Sequence, residues 1–211
     1  MANFTRIAAA LILSLFVQSA EAQFTQKNKV FHAGPQACGA LAATTAFSPA
    51  VAIVPNGTTT GTVLIITTNS TAGTVEIGCN ITPPGLQVSG TTKGVKINAV
   101  SLYYGVQTTA LASIAAATLN TYTYPASTAA GAAAAGTRAA VTLGTVTPTS
   151  LQLTTTTAGQ CFNERLPVAT PFLMVTPNQQ LTLDQVFTTA GSAATTIQVC
   201  DVVVYYDEIV G

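Results

Sequence analysis

Short runs of alternating apolar and polar residues, separated by turn-forming residues, recur along most of the sequence. The runs are rich in Val, Ile, Thr and Tyr, which are side chains that favour strands. They lie at residues 61–68, 74–81, 95–106, 118–124, 139–146, 151–157, 171–175, 181–187 and 196–206. Such spacing is typical of antiparallel sandwiches and barrels. The sequence therefore predicts an all-β fold, an antiparallel β-sandwich that is jelly-roll-like in strand number and length.

Helical patterns are few. Residues 110–117 fit either two helical turns or a continued strand. Residues 126–140 are rich in alanine, but Gly131 and Gly136 divide them into pieces too short to form stable helices alone. We interpret this segment as a surface crossover loop.

The alternation divides the chain into four segments. Residues 1–22 precede it, and residues 23–55, which prolines interrupt, are expected to form an extended N-terminal arm with at most one short strand. Residues 56–90 are expected to form a β-hairpin segment, in which the runs 61–68 and 74–81 pair after the Asn56-Gly57 turn signal. Residues 91–211 form the predicted sandwich domain.

The last run indicates how one sheet is arranged. Residues 196–206 are apolar on both faces in their middle, which favours a central strand covered on both sides. The run ends in Tyr205-Tyr206, as the run 95–106 carries Tyr103-Tyr104. We expect these two strands to be neighbours in one sheet, with their tyrosines paired across the ladder.

Residues 1–22 have the pattern of an export signal. Arg6 precedes an apolar run of residues 7–17, which is too short to span a bilayer as a helix, and Ala20-Glu21-Ala22 matches a cleavage site. The sequence therefore predicts a secreted or cell-surface protein, with no membrane insertion after removal of the signal.

Four cysteines support this compartment. An even number of cysteines in an exported chain favours two disulfides, for which three pairings are possible. We favour Cys38–Cys79 and Cys161–Cys200, because each closes a loop of roughly 40 residues within one half of the chain. A metal site is disfavoured because no C-x-x-C motif occurs and His32 is the only histidine. We expect no metal and no other cofactor.

The sequence contains few ionisable groups. It has 7 basic and 7 acidic residues, 7% of the chain, where about a quarter is usual. This balance argues against nucleic acid as a partner, because phosphate binding needs clustered Lys and Arg. A serine or cysteine nucleophile would depend on His32, and the acidic residues offer few pairs for acid–base catalysis. We therefore expect a protein that is not an enzyme.

Hydroxyl and amide side chains replace the missing charges. The chain contains 37 threonines, and such uncharged polar groups can be buried against a neighbour without desolvating ions. We expect a structural or adhesive surface protein that self-associates, with copies of itself as partners and residues 23–33 added to a neighbouring sheet. The composition is equally compatible with a neutral monomer whose arm is disordered. The alternative function is a secreted glycan-binding module, whose ligand-stacking residues would be Tyr103, Tyr104, Tyr205 and Tyr206.

Overall fold

Antiparallel strands account for nearly all of the regular secondary structure in the part of the chain that the structure describes. The structure is a computed structural model, and it describes residues 24–56, 59–84, 92–124, 136–143, 150–156, 160–174 and 179–210. The predicted export signal, residues 1–22, lies outside the described residues, and so does most of the predicted crossover loop, residues 126–140.

The described strands follow the alternating runs and add several that the runs did not predict. In chain order they are β1 (Phe24–His32), β2 (Cys38–Ala43), β3 (Phe47–Asn56), β4 (Thr59–Thr68), β5 (Gly73–Asn80), β6 (Thr92–Gln107), β7 (Leu111–Ile114), β8 (Thr118–Thr123), β9 (Thr137–Val141), β10 (Phe162–Met174), β11 (Gln179–Thr189) and β12 (Thr196–Val210). Short 3-10 turns occur at Pro35–Ala37 and Ser150–Leu153.

The strands form two antiparallel sheets that pack face to face as a β-sandwich. Sheet A has the strand order β10-β6-β12-β4-β3, and sheet B has the order β2-β5-β11-β8-β9. Each central strand has one edge along which two strands pair in succession. On β12 these are β4 and β1, and on β11 they are β8 and β7. The prediction of an all-β sandwich is thus confirmed.

The central position predicted for the last run is also confirmed. β12 pairs with β6 from Thr196↔Gln107 to Val210↔Thr92, while its other edge pairs with β4 and then with β1. The two Tyr-Tyr strands are therefore neighbours, but their tyrosines are not opposite one another. Tyr103 lies opposite Asp201, and Tyr205 lies opposite Ala99.

The core lies between the sheets and consists mainly of Val, Ile and Leu from alternate positions of the long strands. At its centre Tyr104 of β6 meets Phe187 of β11, with ring centroids 5.3 Å apart, and both residues are fully buried. Contacts of this kind couple sheet A directly to sheet B. They depend on the period of two, which places every second residue of a strand on the inner face.

One carboxyl group is buried with the apolar residues. Glu164 of β10 is 2% exposed, and its Oε2 has no hydrogen-bond partner among the described residues. Burial raises the pKa of the Glu164 carboxyl, because the charged form is poorly solvated there. Burial, and secondarily the charge of Glu164, also raises the pKa of the Tyr104 phenol.

Residues 23–55 contain more structure than the predicted arm. They form three strands, β1, β2 and β3, and β1 pairs with β12 of the same chain. Side chains reinforce this pairing, since Lys29 Nζ lies 2.5 Å from Glu208 Oε2 and His32 Nδ1 lies 2.5 Å from Asp201 Oδ2. Polar residues, Gly and Pro interrupt the alternation in this region. The sequence pattern therefore did not predict the strands, which form by pairing with distant parts of the chain.

The predicted hairpin between residues 61–68 and 74–81 is wrong. These runs form β4 and β5, but β4 lies in sheet A and β5 in sheet B, and the turn between them crosses from one sheet to the other. A hairpin is present one strand earlier, where β3 and β4 pair from Phe47↔Thr68 to Asn56↔Thr59. Alternation defines the two faces of a strand but leaves its partner open, which explains the error.

The secondary structure of two further segments differs from the prediction, and that of a third decides between two predicted alternatives. The described part of the run 151–157, residues 151–156, contains no strand, since Ser150–Leu153 is a 3-10 turn. A row of threonines favours a strand only where neighbours cover one face. β10 starts at Phe162, well before the predicted run 171–175, because an edge strand tolerates Pro167 and Pro171. Residues 111–114 form strand β7 rather than a helix.

Both disulfides predicted from loop length are present. Cys38 bonds to Cys79 and joins neighbouring strands β2 and β5, where the two residues are opposite each other in register. Cys161, directly before β10, bonds to Cys200 in β12. These are the four cysteines of the sequence, and two disulfides fit an oxidising compartment.

Candidate ligand-binding groove

The four tyrosines predicted to stack on a ligand have different surroundings. Tyr104 is fully buried in the core, and Tyr206 is 5% exposed, so neither presents a ring face to solvent. Tyr103 and Tyr205 lie on the opposite face of sheet A and are partly exposed. Alternation separates the two members of each Tyr-Tyr pair onto opposite faces.

Tyr103 and Tyr205 are engaged by side chains of the same chain. The guanidinium of Arg165 lies over the Tyr205 ring, 4.5 Å from its centroid, and Asn163 Nδ2 donates a hydrogen bond of 3.1 Å to the Tyr103 hydroxyl. Burial, followed by the neighbouring Tyr205 phenol, raises the pKa of Tyr103. The Tyr205 ring face covered by Arg165 is therefore not free for a sugar.

A groove of about 490 Å³ lies elsewhere, on the outer face of sheet B. Residues of β2, β5, β8, β9 and β11 line it, together with flanking residues. Its floor contains Gly78, and a Cβ atom added there would overlap the side chain of Leu41. The Leu41 side chain, which is 59% exposed, thus packs over the position that a side chain at residue 78 would occupy, and glycine permits this close approach.

Two tyrosines form one wall of the groove. Tyr122 and Tyr124 share one face of the β8 segment because they are two residues apart, and their rings meet edge to face with centroids 4.8 Å apart. Gly136 packs directly against the Tyr122 ring, where a Cβ atom would overlap it. Tyr124 is 45% exposed, and its hydroxyl bonds to Gln180 Oε1 at 3.1 Å. Tyr124 is therefore an anchored ring that still offers surface to a ligand.

A charged pair lies at the β9 side of the groove. Arg138 Nη2 is 2.5 Å from Asp184 Oδ2, and Asn120 Nδ2 donates to the same oxygen at 3.0 Å. The Arg138 side chain is 58% exposed, whereas that of Asp184 is only 10% exposed. Burial raises the pKa of the Asp184 carboxyl, the Arg138 charge opposes this rise, and the charge of Glu76 adds to it.

Comparison with known proteins gives no family for this fold and groove. No protein-family model matches the sequence, and no curated protein is significantly similar to it. The chemistry of the groove must therefore be interpreted from its own residues.

The groove combines an aromatic wall with uncharged hydrogen-bonding groups. Besides the two tyrosines it presents the side chains of Asn80, Gln180 and Thr182. Rings of this kind bind the apolar faces of ligands, while amide and hydroxyl groups fix their orientation. The arrangement is therefore suited to a small polar ligand that also has an apolar face.

The remaining candidates for chemistry lie away from the groove. His32 contacts Asp201 on sheet A, and Asp201 also accepts hydrogen bonds from the backbone N–H groups of Gly34 and Val202. Within the described ranges, no cluster of His, Cys, Asp and Glu could hold a metal ion, and no helix is long and apolar enough to cross a bilayer.

Sequence reasoning did not select the residues of this groove. The sequence feature that could have indicated the groove is the spacing of Tyr122 and Tyr124. Tyrosines two positions apart lie on one face of a strand, whereas adjacent tyrosines point to opposite faces. The contributions of Gly78, Arg138 and Asp184 depend on strand pairing. They become visible only in the folded protein.

Proposed function

We propose that this chain is an exported, non-enzymatic adhesive module that binds carbohydrate in the groove on the outer face of sheet B. The observation that carries the proposal is the exposed Tyr124 ring, anchored through its hydroxyl in a groove whose floor is formed by Gly78 and the Leu41 side chain packed against it. Sugar rings have apolar faces that stack on aromatic side chains and hydroxyl groups that need donors and acceptors.

The dimensions and surroundings of the groove support this proposal. Its volume of about 490 Å³ falls within the roughly 300–1,000 Å³ of typical small-molecule sites. Amide and hydroxyl side chains dominate its polar lining, and its ionised groups, Arg138 and Asp184, are paired with each other. Such a pair favours binding over acid–base catalysis, which needs a group that is free to exchange a proton.

Export is supported by two independent features. Residues 1–22 have the order of charge, apolar run and small-residue cleavage site found in secretory signals. The two disulfides fit an oxidising compartment, in which they persist. A carbohydrate-binding module at the cell surface or outside the cell would meet its ligands there.

Replacing Tyr124 with alanine tests the proposed ligand. We expect Tyr124→Ala to weaken binding to a glycan array by about tenfold, because loss of one stacked aromatic contact costs roughly 1.4 kcal/mol. Tyr205→Ala is the matched control, since Tyr205 lies on sheet A and should leave binding unchanged. Binding that survives Tyr124→Ala but is lost in Tyr205→Ala would place the site on sheet A and contradict the proposed groove. A wild-type protein that binds no glycan would refute the proposal.

A self-associating structural subunit is the second candidate function. We infer a jelly-roll topology from the strand order, since β4-β12-β6-β10 faces β5-β11-β8-β9, with β11 and β12 inserted between earlier strands as in two interleaved Greek keys. Jelly rolls with uncharged surfaces are suited to close assembly, but the fold alone does not define a function.

Addition of a foreign strand to sheet A is disfavoured at both of its outer strands, β3 and β10. β1 pairs within its own chain, while β3 carries Pro49 and Pro55, and β10 carries Pro167 and Pro171. Prolines on outer strands hinder the addition of a foreign strand. Copies would then be expected to contact through packed faces rather than through the edges of sheet A. Light scattering across a concentration series would show such assembly as particles larger than a monomer. A monomeric mass at every concentration would exclude the structural candidate.

A further inference from the structure

The charges around the groove are unequal. Arg138 is the only cation among the described residues that line it, and its guanidinium already contacts Asp184. Glu76 projects from β5 on the same outer face of sheet B, two residues from Gly78, and is close enough for its charge to act on Asp184. Near the groove, two carboxylates thus accompany one guanidinium, and only Asp184 contacts it.

This balance has a consequence for ligands that carry a negative charge. The carboxylate of an acidic sugar would have to compete with Asp184 for Arg138, and Asp184 is held in place by Asn120 as well. Beside Asp184 it would also meet the negative potential of Glu76, whose charge acts at that position. Like charges brought together at a binding site cost free energy and thereby exclude the wrong ligand. The hydroxyl groups of an uncharged sugar do not meet this obstacle.

We propose that the groove selects uncharged over acidic carbohydrates, and that Asp184 determines this selectivity by neutralising Arg138. The inference rests on the proposed carbohydrate-binding function and assigns its ligand class. Asp184 acts on the ligand indirectly, through the arginine. Its small exposure, 10% for the side chain, keeps it in contact with Arg138 rather than with the ligand.

The experiment compares matched neutral and acidic ligands. The probes are an array of neutral hexose oligosaccharides and the same oligosaccharides oxidised at C6 to uronates, applied to the disulfide-bonded protein. We expect the wild type to bind the neutral form of its best ligand at least about tenfold more tightly than the uronate. Wild-type preference for the uronates would overturn the inference.

Two substitutions test the role of Asp184. Asp184→Asn retains an oxygen that accepts the hydrogen bond from Asn120 but frees the charge of Arg138. It is expected to raise uronate binding relative to neutral binding by about tenfold. The double variant Asp184→Asn/Arg138→Gln should lose this gain, because the cation is then absent. An unchanged ratio in Asp184→Asn would overturn the inference.

A third variant covers the case in which Asp184→Asn does not fold. Glu76→Gln removes the more exposed of the two carboxylates and should shift the ratio in the same direction, by about two- to threefold; no shift would overturn the inference. If the wild type binds neither set of oligosaccharides, the proposed function itself fails. If it binds the neutral set but none of the variants changes the ratio, only the selectivity inference fails.

Discussion

Replacing Cys38 and Cys79 together with alanine is expected to lower the free energy of unfolding by about 4 kcal/mol. The bond closes a loop with a sequence separation of 41 residues, and a loop of that length restricts the unfolded chain by about this amount in the chain-entropy model. Since domains are stable by only about 5–15 kcal/mol, this is a large part of the total. Urea unfolding followed by circular dichroism measures it.

The same variant is expected to disturb the groove. Cys79 lies between Gly78 and Asn80, and its partner strand β2 carries Leu41, so the bond fixes the β2 wall against the groove floor. Glycan binding should therefore weaken under conditions in which the variant is still folded.

Cys161→Ala/Cys200→Ala is the matched control. Its loop is nearly as long, with a separation of 39 residues, and it joins β12 to the start of β10, away from the groove. We expect a similar loss of stability but unchanged binding in the folded protein. Equal loss of binding in both double variants would show that the Cys38–Cys79 bond has no local role in the groove.

Replacing Glu164 with glutamine is expected to stabilise the protein at neutral pH by about 1–3 kcal/mol, because an uncharged amide of the same size costs less to bury than an ionised carboxylate. Because burial raises the pKa of this carboxyl in the folded state, the folded chain holds the proton more tightly than the unfolded chain. The resulting stabilisation is complete below the pKa of the unfolded chain and is lost as the pH rises through the raised pKa.

The variant removes this pH dependence because an amide does not titrate. The stabilities of wild type and Glu164→Gln, measured by urea unfolding from pH 4 to pH 8, should therefore diverge as the pH rises. Glu76→Gln, at a partly exposed position of β5, serves as the control and should change stability by less than about 0.5 kcal/mol. Parallel curves for wild type and Glu164→Gln would contradict the conclusion that burial raises the pKa of the Glu164 carboxyl.

The sequence predicted those parts of the fold that depend on local pattern. The alternation identified most long strands, and the apolar faces of residues 196–206 identified β12 as central. The disulfide pairing followed from loop length. The strand predictions use residues that are near one another in sequence, and the disulfide prediction uses the length of the loop between two cysteines.

Apart from the pairing of β6 with β12, the sequence did not predict which distant strands pair. β1 is ordered by contacts with β12 that span as many as 186 positions, from Phe24 to Val210. β4 and β5 lie in different sheets because β4 pairs with β3 and β12, whereas β5 pairs with β2 and β11. The groove depends on the same information, since Tyr124, Arg138 and Asp184 belong to three segments that only the β9-β8-β11 order brings together. Alternation without pairing cannot place them.

The position of β12 has a consequence for the time at which the molecule can fold. Among the described strands β12 is the last to leave the ribosome, yet β6, β4 and β1 all pair with it. Until β12 emerges, sheet A has no centre, and these three strands cannot be joined into it. Such late, long-range closure makes folding slow compared with that of proteins built from local contacts. A nascent chain that stays open for so long can be threaded through a narrow translocation pore before it folds.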